Sequence, residues 1–466
     1  MTLVSKLRYV AEPEHGLKGA AVGFTVEGAT SAAFNKDAVK ALDRALGAWE
    51  EPEFETPQTS QLDGRARQVL GWVYRACLAA KWPVFQVGVF QPEGGSDLNG
   101  QYYLPTRVNP RWLPARLFKH LLEDGLLAPT KQFDQARFLE QVGQFQEALK
   151  QHGLKGLNQR IILRFIHDRG APVTEVDKSG TFMVGKGEKI RLFRGSLSET
   201  TGELTVKLLM SKKLTCDVLR DADIPTTDPQ FVYSPQDILD FAAENSFPIV
   251  LKPNNTNGNI AIYANIMDEP YLRSLLEQIN VNEYDFIVEK HFFGESYRVV
   301  LFDGEIIFIH QKYRPRLFGD GSSNIRSLLK TFCEDTEPGE NFTKPRPIFQ
   351  NMMRSPVFDA NLERAGLTYD SVLEKDQVFF IHQQNGTFGH TNYYFTEDDL
   401  PEQVRQVVQK IMQIFDIQEG SIDFISEDLL VEDPDFVINE VNTSPAFTYN
   451  VEPLRQMANM IVDSIQ

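Results

Sequence analysis

The chain has 466 residues, 42% of them hydrophobic and 24% charged, which is the composition of an ordinary globular protein with room for roughly two to four core-bearing units. Its formal charge of −17 argues against a nucleic-acid partner, because binding to phosphate backbones relies on clustered Lys and Arg. No run approaches the ~20 apolar residues that cross a bilayer, and the N-terminus lacks the apolar core of a signal peptide, so the expectation is a cytoplasmic protein with no membrane partner.

Cys77, Cys216 and Cys333 are too widely spaced for a disulfide framework or a zinc site. In chain order, residues 1–155 read as an N-terminal α/β domain. A20-A-V-G-F-T-V26 and W82-P-V-F-Q-V-G-V-F90 are expected strands. Apolar residues recurring every three or four predict helices over Asp37–Trp49, Gln58–Ala80, Trp112–Leu122 and Gln132–Gln151. The aromatic and basic run Y102-Y-L-P-T-R-V-N-P-R-W112 reads as a loop packed on the core, with ligand binding as its alternative.

From Gly156 strands and helices alternate. L157-N-Q-R-I-I-L-R-F-I-H-D-R-G170 reads as a helix that leads into a strand over Pro172–Val176, and a further helix is expected over Lys207–Ala222. F247-P-I-V-L-K252 is an apolar strand that ends in a lysine before a loop of small and amide residues. Such a lysine is placed either to meet phosphate oxygens or to reach water by its stem. In D285-F-I-V-E-K-H-F-F-G-E-S-Y-R-V-V300, strands over Phe286–Glu289 and Tyr297–Phe302 flank a connector whose backbone at Lys290, His291 and Phe292 can read an adenine edge. G319-D-G321 alone means a turn. Residues 330–375 read as a polar insertion, and helices are expected over Leu400–Phe415 and Glu452–Ile465.

The most informative stretch is G420-S-I-D-F-I-S-E-D-L-L-V-E-D-P-D-F-V-I-N-E-V-N-T-S-P445. Two alternating runs, Ser421–Ser426 and Phe436–Asn442, flank an acidic turn and predict a β-hairpin. Asp423 sits on the first strand, and Glu440 and Asn442 sit two apart on the second, so the latter pair shares a face. Two carboxylates and an amide oxygen suit a hard cation completed by substrate phosphates, as Mg2+ is in nucleotide enzymes.

I422-D-F424 and I438-N-E-V-N-T-S-P445 resemble the metal site of the ATP-grasp superfamily of carboxylate-amine ligases, and the order of segments from Gly156 onward resembles its cyanophycin synthetase branch. The G-D-G-x-x-x-I segment is shared with that branch and with bifunctional glutathione synthetases. The resemblance implies an α+β, ATP-grasp fold, two α+β subdomains gripping ATP, behind the N-terminal domain. The expected divisions are 1–155, 156–222 (linker and first part of the core), 223–295 (lid) and 296–466 (C-terminal core with the metal site).

By the same resemblance Asp423, Glu440 and Asn442 are the Mg2+ ligands, and Lys212 and Lys252 the two nucleotide-contacting lysines. Glu289, Lys290, His291 and Phe292 line the adenine. The ribose carboxylate of relatives falls at Ser296, so neighbouring Glu295 is the substitute, and Asn385 and Gly389 take the place of a Gly-rich phosphate loop. Arg298 and Lys312 face the acyl-phosphate and the adduct, where preorganised cations offset developing negative charge. Ser196, Ser198, Glu199 and Thr200 lie in the segment that contacts the amino-acid substrate. The chain departs from its relatives at T256-N-G-N-I-A261, where they carry G-N-H-G-x-G, and at Ala446, where they often carry Gly.

The expectation is therefore an enzyme that uses ATP and Mg2+ to join an amino-acid or short-peptide carboxylate to an amine through an acyl-phosphate. A single ligation is expected because the sequence has no Mur-ligase-like segment after the grasp, and relatives imply a dimer or tetramer. A degenerate ATP-binding regulator and an ATP-grasp phosphotransferase are the alternatives.

Overall fold

A computed structural model describes residues 3–5, 7–10, 17, 20–30, 32–46, 64–107, 110–177, 179–256, 260–335, 337, 342–344, 347–381, 391–445 and 450–466. The chain forms two compact units: Met1–Ser198 with Ala446–Gln466, and Glu199–Pro445.

In the first unit β1 (Arg8–Val10), β2 (Ala21–Val26), β3 (Val89–Pro92) and β4 (Gly100–Pro105) make an antiparallel sheet in the order β1-β2-β4-β3. Helices α1 (Lys36–Leu46), α2 (Arg65–Ala79), α3 (Leu113–His120) and α4 (Gln135–Gln151) supply its remaining core. Phe24 lies flat on Tyr102 across the β2–β4 pair, ring centroids 5.4 Å apart and planes 2° from parallel.

The strand expected over Trp82–Phe90 starts only at Val89. Pro83 has no N–H to donate, and Gly88 turns the chain at φ +106°, so the earlier apolar residues pack as a loop. α4 starts three residues later than expected because Asp134 caps it, its carboxylate accepting the Arg137 N–H at 3.1 Å. Then α5 (Leu157–Asp168) leads into a small sheet of β5 (Val173–Glu175), β6 (Phe182–Lys186), β7 (Lys189–Arg194) and β8 (Leu197–Ser198), paired in that order.

The second unit opens with α6 (Glu203–Leu209) and α7 (Lys212–Asp221), two helices in place of the single one expected over Lys207–Ala222. Ser211 makes the break. Its backbone is extended and its hydroxyl accepts the Leu214 N–H, which starts a new helix instead of continuing the old one.

A first sheet joins β9 (Gln230–Phe231), β10 (Ile249–Pro253), β11 (Tyr263–Ile266) and β12 (Phe286–Lys290) in the order β11-β10-β12-β9, with α8 (Pro235–Asn245) and α9 (Glu269–Leu276) contributing to its core. The chain then runs through β13 (Glu295–Phe302), β14 (Glu305–Tyr313), β15 (Arg316–Phe318), α10 (Ile325–Glu334), β16 (Phe342–Thr343), α11 (Phe349–Met352), α12 (Pro356–Arg364), β17 (Val378–Phe380), β18 (Thr391–Phe395), α13 (Glu402–Phe415), β19 (Gly420–Ser426) and β20 (Val437–Asn442). A six-stranded second sheet follows the order β16-β18-β14-β13-β19-β20, and α13 buries Val404, Val408 and Ile411 with it.

The stretch read as a polar insertion has a core of its own. Ile325, Leu329 and Cys333, four apart on α10, pack with Leu317, Phe358 and Phe379 from β15, α12 and β17. The last helix, α14 (Glu452–Ile465), belongs to the first unit, where it packs on α5; Arg169 donates to Asn459 at 3.0 Å and Asp463 at 2.7 Å. Among the described residues no helix is long and apolar enough to cross a membrane.

Candidate active site

The predicted hairpin is β19–β20, with Asp423 opposite Glu440 and Ser421 opposite Asn442. Between the pairs Asp423–Glu440 and Phe424–Ile438 one residue, Asn439, is left unpaired as a β-bulge. The bulge re-aims the strand. Ile438 and Val441 both enter the core with Ile422 and Phe424, while Asn439 and Glu440 both line a cleft.

Strand register extends this pair into a row. Tyr394 on β18, His310 on β14, Arg298 on β13, Asp423 on β19 and Glu440 on β20 are successive cross-strand partners, and Lys312 lies one step along between Asn392 and Ser296. Arg298 grips Asp423 with two bonds, Nε–Oδ1 at 2.8 Å and Nη2–Oδ2 at 2.6 Å. Like charges directly opposite destabilise a sheet. Here each carboxylate of the pair has a cation: Asp423 has Arg298, and Glu440 has the Lys212 ammonium at 3.4 Å.

Burial pulls the Arg298 pKa down, but Asp423 and Glu440 more than reverse that and raise it. Burial pushes Asp423 up, and Arg298, Lys312 and His310 outweigh it, so Asp423 stays ionised. Lys312 makes no ion pair among the described residues, and burial together with the neighbouring Arg298 cation lowers its pKa against the pull of Asp423 and Glu440. Asp423 thus finds its cation within the row, whereas Glu440 takes one from α7.

The first sheet of this unit adds a second layer of charge. Lys252, at the buried end of β10, meets Glu289 on β12 at 2.6 Å and donates to Asn439 at 3.0 Å. Thr227 donates to the other Glu289 oxygen at 2.6 Å. Burial pulls the Lys252 ammonium down, yet Glu289 outweighs it, and its pKa is raised. Lys212 starts α7, donates to the Thr256 carbonyl at 2.8 Å and faces Glu440. Asn254 locks that helix start in place, its carboxamide accepting the Lys213 N–H at 2.9 Å and donating to Ser211 at 3.0 Å.

Lys212, Lys252, Glu289, Lys290, His291, Phe292, Ser296, Arg298, Lys312, Asp423 and Glu440 all line one cleft with about 1050 Å³ of empty space. The structure therefore gathers most of the residues singled out in the sequence. Burial and Arg314 press the His291 pKa from 6.5 down to about 4, and its backbone N–H donates to Pro248 at 3.0 Å, so this amide is already committed.

Other expected site residues sit elsewhere. Glu295 is outside the cleft lining: its carboxylate accepts the Arg314 backbone N–H at 2.8 Å and pairs with Arg316. Ser196 and Ser198 are buried in the first unit at β7–β8. Glu199 and Thr200 begin the second unit, where Thr200 donates to Glu419 at 2.6 Å. Asn385 and Gly389 lie outside the described residues. Asn442 lies on β20 opposite Ser421.

Thr227, Asn254, Asn439 and Arg314 carry the site without having been singled out. For Asn439 the sequence did hold a signal, because Ile438 and Val441 are both apolar at a spacing of three, which a regular strand cannot bury on one side.

No family model matches the chain. It is similar to a cyanophycin synthetase of Trichormus variabilis, 24% identical over 320 residues that make up 66% of this chain and 35% of that protein. It is also similar to the glutathione biosynthesis bifunctional protein GshAB of Desulfotalea psychrophila, 22% identical over 330 residues, 67% of this chain and 42% of that one. Among solved structures, a bifunctional glutathione synthetase from Pasteurella multocida aligns at 16% identity and a TM-score of 0.43, covering 77% of this chain and 52% of that chain.

The fold is α+β, and the similarity to these relatives agrees with the resemblance to ATP-grasp carboxylate-amine ligases read from the sequence. The chain is similar to cyanophycin synthetases and GshAB proteins, and it spans 35% of the length of the cyanophycin synthetase above.

Proposed function

We propose that this chain is an ATP-grasp ligase that activates an amino-acid or short-peptide carboxylate with ATP and joins it to an amine, releasing ADP and phosphate. The observation that carries this reading is the cross-strand row Arg298–Asp423–Glu440, faced in one cleft by Lys212, Lys252 and Lys312.

Phosphoryl transfer asks little of a protein beyond positioning and charge stabilisation. Lys212 and Lys252 are held by neighbouring carboxylates and amides in places that suit phosphate oxygens. Arg298 is preorganised by its two bonds to Asp423, so it meets developing negative charge without reorganising. The lowered pKa of Lys312 makes its ammonium a readier proton donor than an exposed lysine. Glu289 lines the cleft with its oxygens on Lys252 and Thr227, and a remaining lone pair would accept from an exocyclic amine of a base.

Among the described residues no three His, Cys, Asp or Glu side chains cluster around a metal position. The carboxylates of the cross-strand partners Asp423 and Glu440 and the amide oxygen of Asn442, two residues along β20, are oxygen donors of the kind that suits Mg2+. These three residues would hold it, and bound there it supplies positive charge to transferring phosphates.

The test is phosphate release from ATP, with and without Mg2+, over a matrix of amino acids and short peptides, with mass spectrometry of products and Glu440→Ala alongside. A condensed mass that needs ATP and disappears in the variant is the expected result. Phosphorylated product without condensation would replace the ligase with a phosphotransferase. ATP binding with no product across the matrix would replace it with a nucleotide-binding regulator.

A further inference from the structure

The first unit contains a second cavity, lined by residues from the run Tyr102–Trp112, from α5 and from β5–β6, with about 960 Å³ of empty space including its mouth. Val84, Phe85, Leu163, Val173 and Phe182 make an apolar part of its wall, and Gln86, Thr106, His167 and Thr174 add polar groups. Its polar groups centre on one buried ion pair. Arg107 and Glu175, whose side chains are only 5% and 7% exposed, face each other at the cavity lining. The Arg107 Nε donates to Glu175 Oε1 at 2.9 Å, a second guanidinium nitrogen reaches the same oxygen, and the third donates to the His152 carbonyl. Tyr9, beneath the Arg111 guanidinium at 4.6 Å, adds a phenol.

A buried ion pair is weak evidence for stability, because desolvation of both ions offsets their attraction. Its position on an open cavity gives it another use. A ligand that brings one net charge would leave either Arg107 or Glu175 without a counter-ion, which is costly in such surroundings. A ligand that carries both charges exchanges one pair for two and leaves nothing unpaired.

We propose that this cavity binds a free α-amino acid with an apolar side chain. Its carboxylate accepts from Arg107, where a planar guanidinium matches a carboxylate with two parallel bonds. Its ammonium donates to Glu175, and its side chain packs on Phe85, Leu163 and Phe182. The site lies wholly within the first unit and is separate from the charged cleft, so its occupancy does not depend on the proposed ligase chemistry.

Tryptophan emission reports on it selectively. All 4 tryptophans of the chain fall in the first unit, and Trp82 directly precedes Pro83 and Val84 of the cavity wall. The full chain is titrated with L-leucine, with isoamylamine, which lacks the carboxylate, and with 4-methylpentanoate, which lacks the amine. L-leucine is expected to give a saturable change, with both analogues at least about tenfold weaker because each strands one buried ion. Val173→Phe, which fills the cavity from β5, and the double variant Arg107→Met, Glu175→Leu, which removes both charges together, are expected to lose the response and keep a cooperative melt. Glu440→Ala, in the other unit, is expected to keep it. The absence of any saturable change with L-leucine would overturn the proposal, as would equal binding of either analogue, a response that survives Val173→Phe, or its loss in Glu440→Ala.

Discussion

Glu289→Gln tests the electrostatic logic of the cleft. In the native chain Lys252 and Glu289 are both nearly inaccessible, with side-chain exposures of 5% and 4%, and stand 2.6 Å apart. Replacing the carboxylate with an amide leaves the Lys252 ammonium buried with neutral hydrogen-bond partners and Glu440 as its remaining carboxylate. Removing one member of a buried pair costs about 3–5 kcal/mol. At roughly 2–4 °C per kcal/mol for a unit of this size, the melting transition of the second unit should fall by on the order of 10 °C.

The sign of the pH dependence makes the test sharper. In the native chain Lys252 has a raised pKa, so its contribution is present at and below the unfolded value of ~10.4 and is lost only as pH climbs past the folded one. In the variant burial, the largest influence on Lys252, is opposed by Glu440 without Glu289 and is expected to lower the pKa. The unfolded chain then binds more protons than the folded one below pH ~10.4, and stability rises with pH in that range. Calorimetric melts from pH 7 to 10 should show the variant gaining on the native protein. The double variant Lys252→Met, Glu289→Leu should regain at least roughly half of the loss, because it strands no charge. A Glu289→Gln protein that melts within ~2 °C of native, with the same pH slope, would refute this account.

Three further outcomes follow from the same geometry. Asn254→Ala removes the acceptor for the Lys213 N–H and the partner of Ser211, and should cost about 1–2 kcal/mol in urea unfolding while weakening ATP binding measured by calorimetry. Gly420→Ala places a Cβ 2.3 Å from the Asn442 carbonyl oxygen at a residue with φ +137°, and is expected to lose on the order of 3 kcal/mol in a thermal melt along with ATP-dependent phosphate release. For His291, burial and then Arg314 lower the pKa from 6.5 to about 4, so the unfolded chain binds the extra proton in that interval and native stability falls as pH drops through it. His291→Phe should flatten that part of the pH–stability curve, and an unchanged slope would count against it.

The hairpin was legible because its information is local: one strand, one turn and one strand carry Asp423, Glu440 and Asn442 in sequence. The helices α5, α13 and α14 were legible from apolar spacing alone. What the sequence did not show depends on register. No local pattern says that Arg298 lands opposite Asp423 or that His310 lands opposite Arg298, since that alignment is fixed by turns and bulges across strands distant in the chain. The same holds for Glu295, which reads as an available carboxylate until Arg314 and Arg316 are found around it. The strand expected over Trp82–Phe90 failed for a local reason: its apolar content outweighed Pro83 and Gly88 in the reading, whereas in the fold the missing N–H and the left-handed turn decide.

The return of α14 to the first unit also orders events in time. A chain emerging from the ribosome presents the whole of Glu199–Pro445, the second compact unit, before α14 is made. The first unit cannot finish then. The face of α5 that packs on α14 waits for Glu452–Ile465 to be synthesised, and closing that long loop costs only slowly growing entropy with its length. A nascent first unit therefore carries an α5 face without its α14 partner throughout the synthesis of everything between, and α5 and α14 meet only after the second unit has been made.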